Sequence, residues 1–128
     1  MSSPEFQVAF GVKGDDVFTS LKEAGLSLNK YEDEIYLVDE GIFKGMYSGN
    51  GECPEWLGLE LEILDNYSPF IDMIDISYQD NEFKRVEHHV AFHAEVKKLK
   101  TWLAGKGYTV EGELKLPEPS YFIACGTA

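Results

Sequence analysis

Glu60 and Glu62 are the two carboxylates whose spacing most suggests chemistry. They lie in WLGLELEIL, residues 56–64, where Leu57, Leu59, Leu61 and Ile63 alternate with Gly58, Glu60 and Glu62. Alternation at period two predicts a strand, which would place the two glutamates on one face about 6–7 Å apart. Such a pair can hold a cation, or one carboxyl can take a raised pKa and act as a general base. Two solvated glutamates on an outer sheet face fit the same spacing. Trp56, Tyr36, Tyr47 and Tyr67 share this acidic stretch. Aromatic faces beside carboxylates suit a flat basic ligand through cation–π contact, although core packing is their commoner use. Glu60, Glu62, Trp56 and Tyr67 are therefore the candidate ligand-binding residues.

The other chemistry-bearing group is the histidine run in EHHVAFHAEVKKLKTWLAGKGYTV, residues 87–110. Read as one helix, Phe83, Val86 and Val90 fall on one side and Phe92, Val96, Leu99 and Leu103 nearly opposite. A helix against a single core keeps one stripe. The spacing therefore predicts a strand through His93, followed by a helix from about Val96 to Ala104 that stops at Gly105 or Gly107. In a strand, His89 and His93 would stand about 13 Å apart and could not share a metal ion. In a helix they would be i, i+4 neighbours and could.

Other chemistries find no support. Gly49-Asn50-Gly51 reads as a turn, not a phosphate loop, and no spacing suggests a Ser-His-Asp or Cys-His arrangement. Cys53 and Cys125 are too few and too distant for a disulfide framework or a cysteine metal site. The opening MSSPEFQVAF lacks a basic region followed by an apolar one, and no run approaches a membrane span, so the expectation is a cytoplasmic protein. The net charge is −12, and residues 29–82 carry all of it, with fourteen Asp and Glu against Lys30 and Lys44. That distribution argues against nucleic-acid backbone binding. It favours a cationic partner, either a basic small molecule, a metal ion or a basic protein surface, although acidic residues also merely solvate exposed loops.

The elements that must position these residues follow in order. Phe6, Val8, Phe10 and Val12 predict a strand, and Asp15 or Asp16 can cap a helix carrying Val17, Leu21 and Ala24 and ending at Gly25. Leu26–Tyr31 begins a second strand, and Glu34–Val38 and Ile42–Tyr47 form strands joined by a turn at residues 39–41. Trp56–Leu64 and Phe70–Tyr78 are further strands. A strand from Tyr108 to Leu116 and a last one from Tyr121 to Cys125 complete the chain. Val8–Leu28 aligns without a gap to Val90–Val110, with Val8/Val90, Ala9/Ala91, Phe10/Phe92, Thr19/Thr101, Leu21/Leu103 and Gly25/Gly107 identical. The expected organisation is one domain over residues 1–128 with an internal duplication, about 6–48 and 86–126, around an acidic strand insert.

HHVAFHAEVKKLKTWLAGKGYTV resembles the opening of the second module of vicinal oxygen chelate proteins, the glyoxalase and bleomycin-resistance superfamily. VAFGVKGDDVFTSLKEAGLSL resembles the first module. The match is partial, about 21 residues in each half, with no counterpart to the family's last strand. The resemblance implies paired βαβββ units curled round a cleft. It also implies a divalent metal held by Gln7, Glu62 and His89 in the manner of the family's enzymes, or a metal-free acidic cleft that binds a basic drug, as in its dimeric resistance members. Imidazole and carboxylate ligands suit zinc, nickel, iron or manganese. The expected fold is α+β, with two related β-α-β-β(-β) modules forming a curled, mostly antiparallel sheet and two helices on one face. The expected function is binding of a cationic small molecule by a homodimer. One alternative is an acidic inhibitor or immunity protein that occupies a basic protein surface, and a second is a divalent-metal-dependent enzyme.

Overall fold

The computed structural model describes residues 5–45, 55–64, 80–108 and 114–126. The order is β1 (Glu5–Lys13), α1 (Gly14–Glu23), α2 (Lys30–Asp39), β2 (Phe43–Lys44), β3 (Trp56–Leu64), α3 (Glu82–Gly105) and β4 (Ser120–Gly126). The strands lie in the order β2-β3-β1-β4, every pair antiparallel. The chain thus leaves β1, passes through α1 and α2, and returns as β2 with β3 in between. It then leaves β3, passes through α3, and returns as β4 with β1 in between. Two interlocked split βαβ units of this kind make a ferredoxin-like sheet.

The α+β class and the antiparallel sheet are as expected, and among the described residues three helices rather than two share the core on one face. Val17, Phe18 and Leu21 of α1, Leu37 of α2, and Phe92, Leu99 and Leu103 of α3 form one buried cluster with Phe10, Val12 and Leu57 of the sheet. Ala9, Trp56 and Ala124 form a smaller cluster with Phe122, and Ala9 follows the strand alternation to the opposite face. At Gly11 and Gly58 the strands approach closely. The two residues are register partners, and a Cβ on Gly58 would collide with the Phe10 carbonyl oxygen at a φ of +147°.

Several predicted strands are helical instead. Glu34–Val38 lies within α2, and Leu26–Tyr31 is a loop entering that helix at Lys30. The local reason is capping. Asn29 Oδ1 accepts the Glu32 N–H at 3.3 Å, and Asp33 Oδ2 accepts the Asn29 N–H at 3.0 Å. The strand after α2 shrinks to Phe43–Lys44 and pairs with β3. Asp15 and Asp16 lie in the first turn of α1, where they complement the helix dipole, and Lys13 takes the capping position. All three helices end alike, with Gly25, Gly41 and Gly107 at positive φ. In each, the next N–H returns to the carbonyl five residues back, as in Leu26 to Leu21, Ile42 to Leu37 and Tyr108 to Leu103. Tyr108 and Leu114–Leu116 are not in a strand, and the expected strand Phe70–Tyr78 lies outside the described residues.

The largest correction is α3. One helix runs from Glu82 to Gly105, capped by Asn81, whose side chain accepts the Lys84 N–H at 3.1 Å. Val8–Phe10 is strand and Val90–Phe92 is helix, so the two aligned segments do not share a strand–helix–strand unit. Duplicated modules are therefore not what the described elements show. The two-sided apolar pattern is real but has another cause. Phe92, Leu99 and Leu103 enter the core, while Phe83, Val86 and Val90 are 90%, 58% and 66% exposed. Among the described residues, no helix is long and apolar enough to cross a membrane.

The two faces of α3 should differ sharply on truncation. Phe92→Ala should cost about 3–5 kcal/mol in urea unfolding, and Val90→Ala should stay within about 0.5 kcal/mol of wild type. Equal losses would mean that Val90 is also packed. Gly58→Ala should cost about 3 kcal/mol or more, because both its φ and its backbone contact forbid a methyl group.

Candidate ligand groove

Residues 89, 92, 93, 96 and 100 recur at helical spacing, so His89, Phe92, His93, Val96 and Lys100 share one side of α3. Opposite them runs the segment 114–119, LKLPEP, which leads into β4. Leu114 and Leu116 pack against the main core and anchor this segment. Pro117 and Pro119 fix its φ angles and withhold two backbone donors. Between helix and segment lies a cavity of about 370 Å³, lined by these α3 residues and by Leu114 to Pro119. Its walls mix apolar and polar surface in similar amounts, with His89, His93, Lys100, Lys115 and Glu118 as the polar groups.

Behind the groove, Phe10 holds the parts together. Its ring lies 5.1 Å from His89, 5.9 Å from His88, 6.2 Å from Phe92 and 4.6 Å from Tyr121, centroid to centroid. His88 Nδ1 and the Tyr121 hydroxyl share a hydrogen bond of 2.7 Å that ties α3 to β4. Burial pushes the His88 pKa below its ordinary value, and Lys84 and His89 add to this against the pull of Glu87.

The residues singled out in the sequence do not converge. Trp56 is fully buried, edge-on to Phe122 at 5.9 Å, and its Nε1–H donates to the Leu59 carbonyl at 3.3 Å. It has no face to offer a ligand. Glu60 and Glu62 are both exposed, but a register shift separates them. Glu60 stands opposite Ala9 and Glu62 opposite Val8, with Leu61 as the extra residue. Neighbours on β1 point to opposite faces, so the two glutamates do too. Gln7 pairs with Ala124 on the face away from the helices, whereas His89 packs against Phe10 on the helical face. The sheet thus separates Gln7 from His89, and the set Gln7, Glu62 and His89 is not assembled. Among the described residues, no cluster of three or more His, Cys, Asp or Glu side chains is arranged to hold a metal ion. Tyr67 and Tyr47 lie outside the described residues, and Tyr36 is exposed on α2. His93 joins His89 on one side of α3, as the i, i+4 spacing allows in a helix and a strand does not.

Two other polar clusters are structural. Lys106, just past α3, bonds Asp33 of α2 and stands 4.8 Å from the Trp102 ring centroid and 5.4 Å from that of Tyr36. The Asp33 carboxylate raises the Lys106 pKa. Glu34 and Glu55 are both buried where α1, α2 and β3 meet, and Gly14 N–H donates to the Glu55 carbonyl at 2.8 Å. Burial, a hydrogen bond to Glu34 and the charges of Glu34 and Asp15 push the Glu55 pKa up to about 7. Lys30, which feels the charge of Glu34, is engaged with Asp15 at 2.6 Å.

No family model matches the chain, and neither a search of curated proteins nor one of solved structures finds a match.

The Glu34–Glu55 contact makes stability pH-dependent. The folded Glu55 pKa lies near 7 against 4.5 for the free group, so folding takes up a proton between those values. The contribution is fully present below pH 4.5 and is lost as pH rises through 7. Glu55→Gln should therefore leave stability nearly unchanged at pH 4 and raise it by on the order of 2 kcal/mol at pH 8. Thermal melts of both proteins across that range check this, and a pH-independent difference would refute it.

Proposed function

We propose that the protein binds a small molecule in the groove between α3 and residues 114–119, and that this ligand has an apolar body and an acidic group. The groove itself carries the reading. Its volume of about 370 Å³ lies within the usual range for small-molecule sites, roughly 300–1,000 Å³. Its walls combine Phe92, Val96, Leu114 and Leu116 with His89, His93, Lys100, Lys115 and Glu118, so it offers surface to both an apolar body and a polar group. Lys100 and Lys115 outnumber Glu118, so the local charge favours an anionic group. The basic ligand suggested by net charge loses its proposed seat, because Trp56 is buried and the two glutamates point to opposite faces.

A probe of matching chemistry tests this. Anilinonaphthalene sulfonate has an aromatic body and one sulfonate, and its fluorescence rises on entering an apolar site. The native protein should bind it. Val96→Trp, which fills the groove, and the double reversal Lys100→Glu/Lys115→Glu should each weaken binding about 10-fold or more. Lys13→Glu, near Phe122 on the opposite sheet face, should not. Unchanged binding in folded Val96→Trp would remove the groove as the site.

A second reading rests on α2, which exposes Tyr31, Ile35 and Tyr36 beside Glu32, Asp39 and Glu40. Aromatic and acidic side chains mixed in this way suit a basic protein surface, as an inhibitor or immunity protein would need. Such a complex should weaken as salt rises, because the Debye length falls to about 8 Å at physiological ionic strength. Charge reversal at Glu32, Asp39 and Glu40 should abolish it, while leaving the groove probe bound.

A further inference from the structure

We propose that His89 and His93 form a two-imidazole chelate for a divalent transition-metal ion, facing the groove. The chain has three histidines, and all lie within residues 88–93. They are on α3, where His89 and His93 are i, i+4 neighbours with Cβ atoms about 6 Å apart. Both line the same cavity. Helical zinc sites of the H-x-x-x-H type use this spacing, because one turn brings two ring nitrogens to a single ion. His88 is one residue out of phase and is bonded to Tyr121.

One of the two rings is held before any ion arrives. His89 stands edge-on to Phe10 at 5.1 Å, whereas His93 is exposed, 6.3 Å from the Phe92 ring. Packing of His89 restricts that side chain and lowers the entropy lost on chelation. Neutral imidazoles suit copper, nickel and zinc, with copper(II) bound most tightly among divalent first-row ions. The groove's own charges do not attract the ion, since Lys100 and Lys115 line it against Glu118, so the two imidazoles must supply the affinity. Lys100 is seven residues beyond His93, about 10 Å along the axis. The chain's net charge of −12 attracts cations over longer range. Two protein ligands leave the remaining coordination positions open to water or to a groove-bound donor. The site therefore differs from a closed structural one. It stands on the helical register alone and does not depend on an organic ligand.

The test is titration of the full chain with copper(II), nickel(II) and zinc(II) by calorimetry, with electron paramagnetic resonance of the copper complex. One ion per chain is expected, tightest for copper, with two nitrogen ligands in the spectrum. His93→Ala and His89→Gln should each weaken binding about 10-fold or more and leave one nitrogen. His88→Gln should change neither. His93 is exposed, so His93→Ala keeps the fold, and circular dichroism verifies both other variants. Equal affinity in His93→Ala and wild type would overturn the proposal. So would dependence on His88, or the absence of any binding at millimolar metal.

Discussion

The ring of Phe10 is the contact on which the helical face depends. It is buried in the central strand, and α3 reaches it through His88, His89 and Phe92 while β4 reaches it through Tyr121. On the next residue the strand has no side chain at all, because Gly11 faces Gly58 with no room for one. A large ring on one side and a bare backbone on the other let β1 sit tightly against β3 while still supporting a helix. The height and direction of α3 follow from this, and so does the gap between α3 and the segment before β4. The groove is what remains when the helix is held by Phe10 and the segment by Leu114 and Leu116.

Much of the sheet was legible. β1, β3 and β4 match the alternating runs at Phe6–Val12, Trp56–Leu64 and Tyr121–Cys125 almost residue for residue. Phe10 and Phe92 are both buried, Phe10 from the strand the alternation predicts and Phe92 from a helix instead. The errors cluster where one rule was asked to decide alone. A helix was rejected at residues 82–105 because its apolar residues fall on two sides, but a long helix can bury one stripe and leave another in water. EIYLV reads as a strand by composition. The Asn29 and Asp33 caps, local hydrogen bonds that composition does not express, set it helical instead.

The candidate site was legible only in part, for a related reason. His89 was identified, but its partner His93 depended on helix against strand, and the choice of strand separated them. The pairing of Glu60 with Glu62 failed at the extra residue in β3, since a single inserted residue reverses every orientation beyond it. The acidic character of the middle of the chain is real, yet it does not describe the groove. Charge summed along a sequence does not report what lines a cavity made by distant segments.

The strand order has a consequence for how the chain is made. β1 leaves the ribosome early but finds its partners in β3 and in β4, with Glu5 opposite Gly126. Until β4 is released, the side of β1 away from β3 lacks the partner it has in the folded sheet. Local helices can form meanwhile, each closed by its own glycine turn, but the sheet must wait for long-range loop closure. A nascent or truncated chain that ends before Ser120 therefore carries an open β1 edge, ready to pair with a neighbouring chain. Pairing with β4 closes that edge of β1 to neighbouring chains.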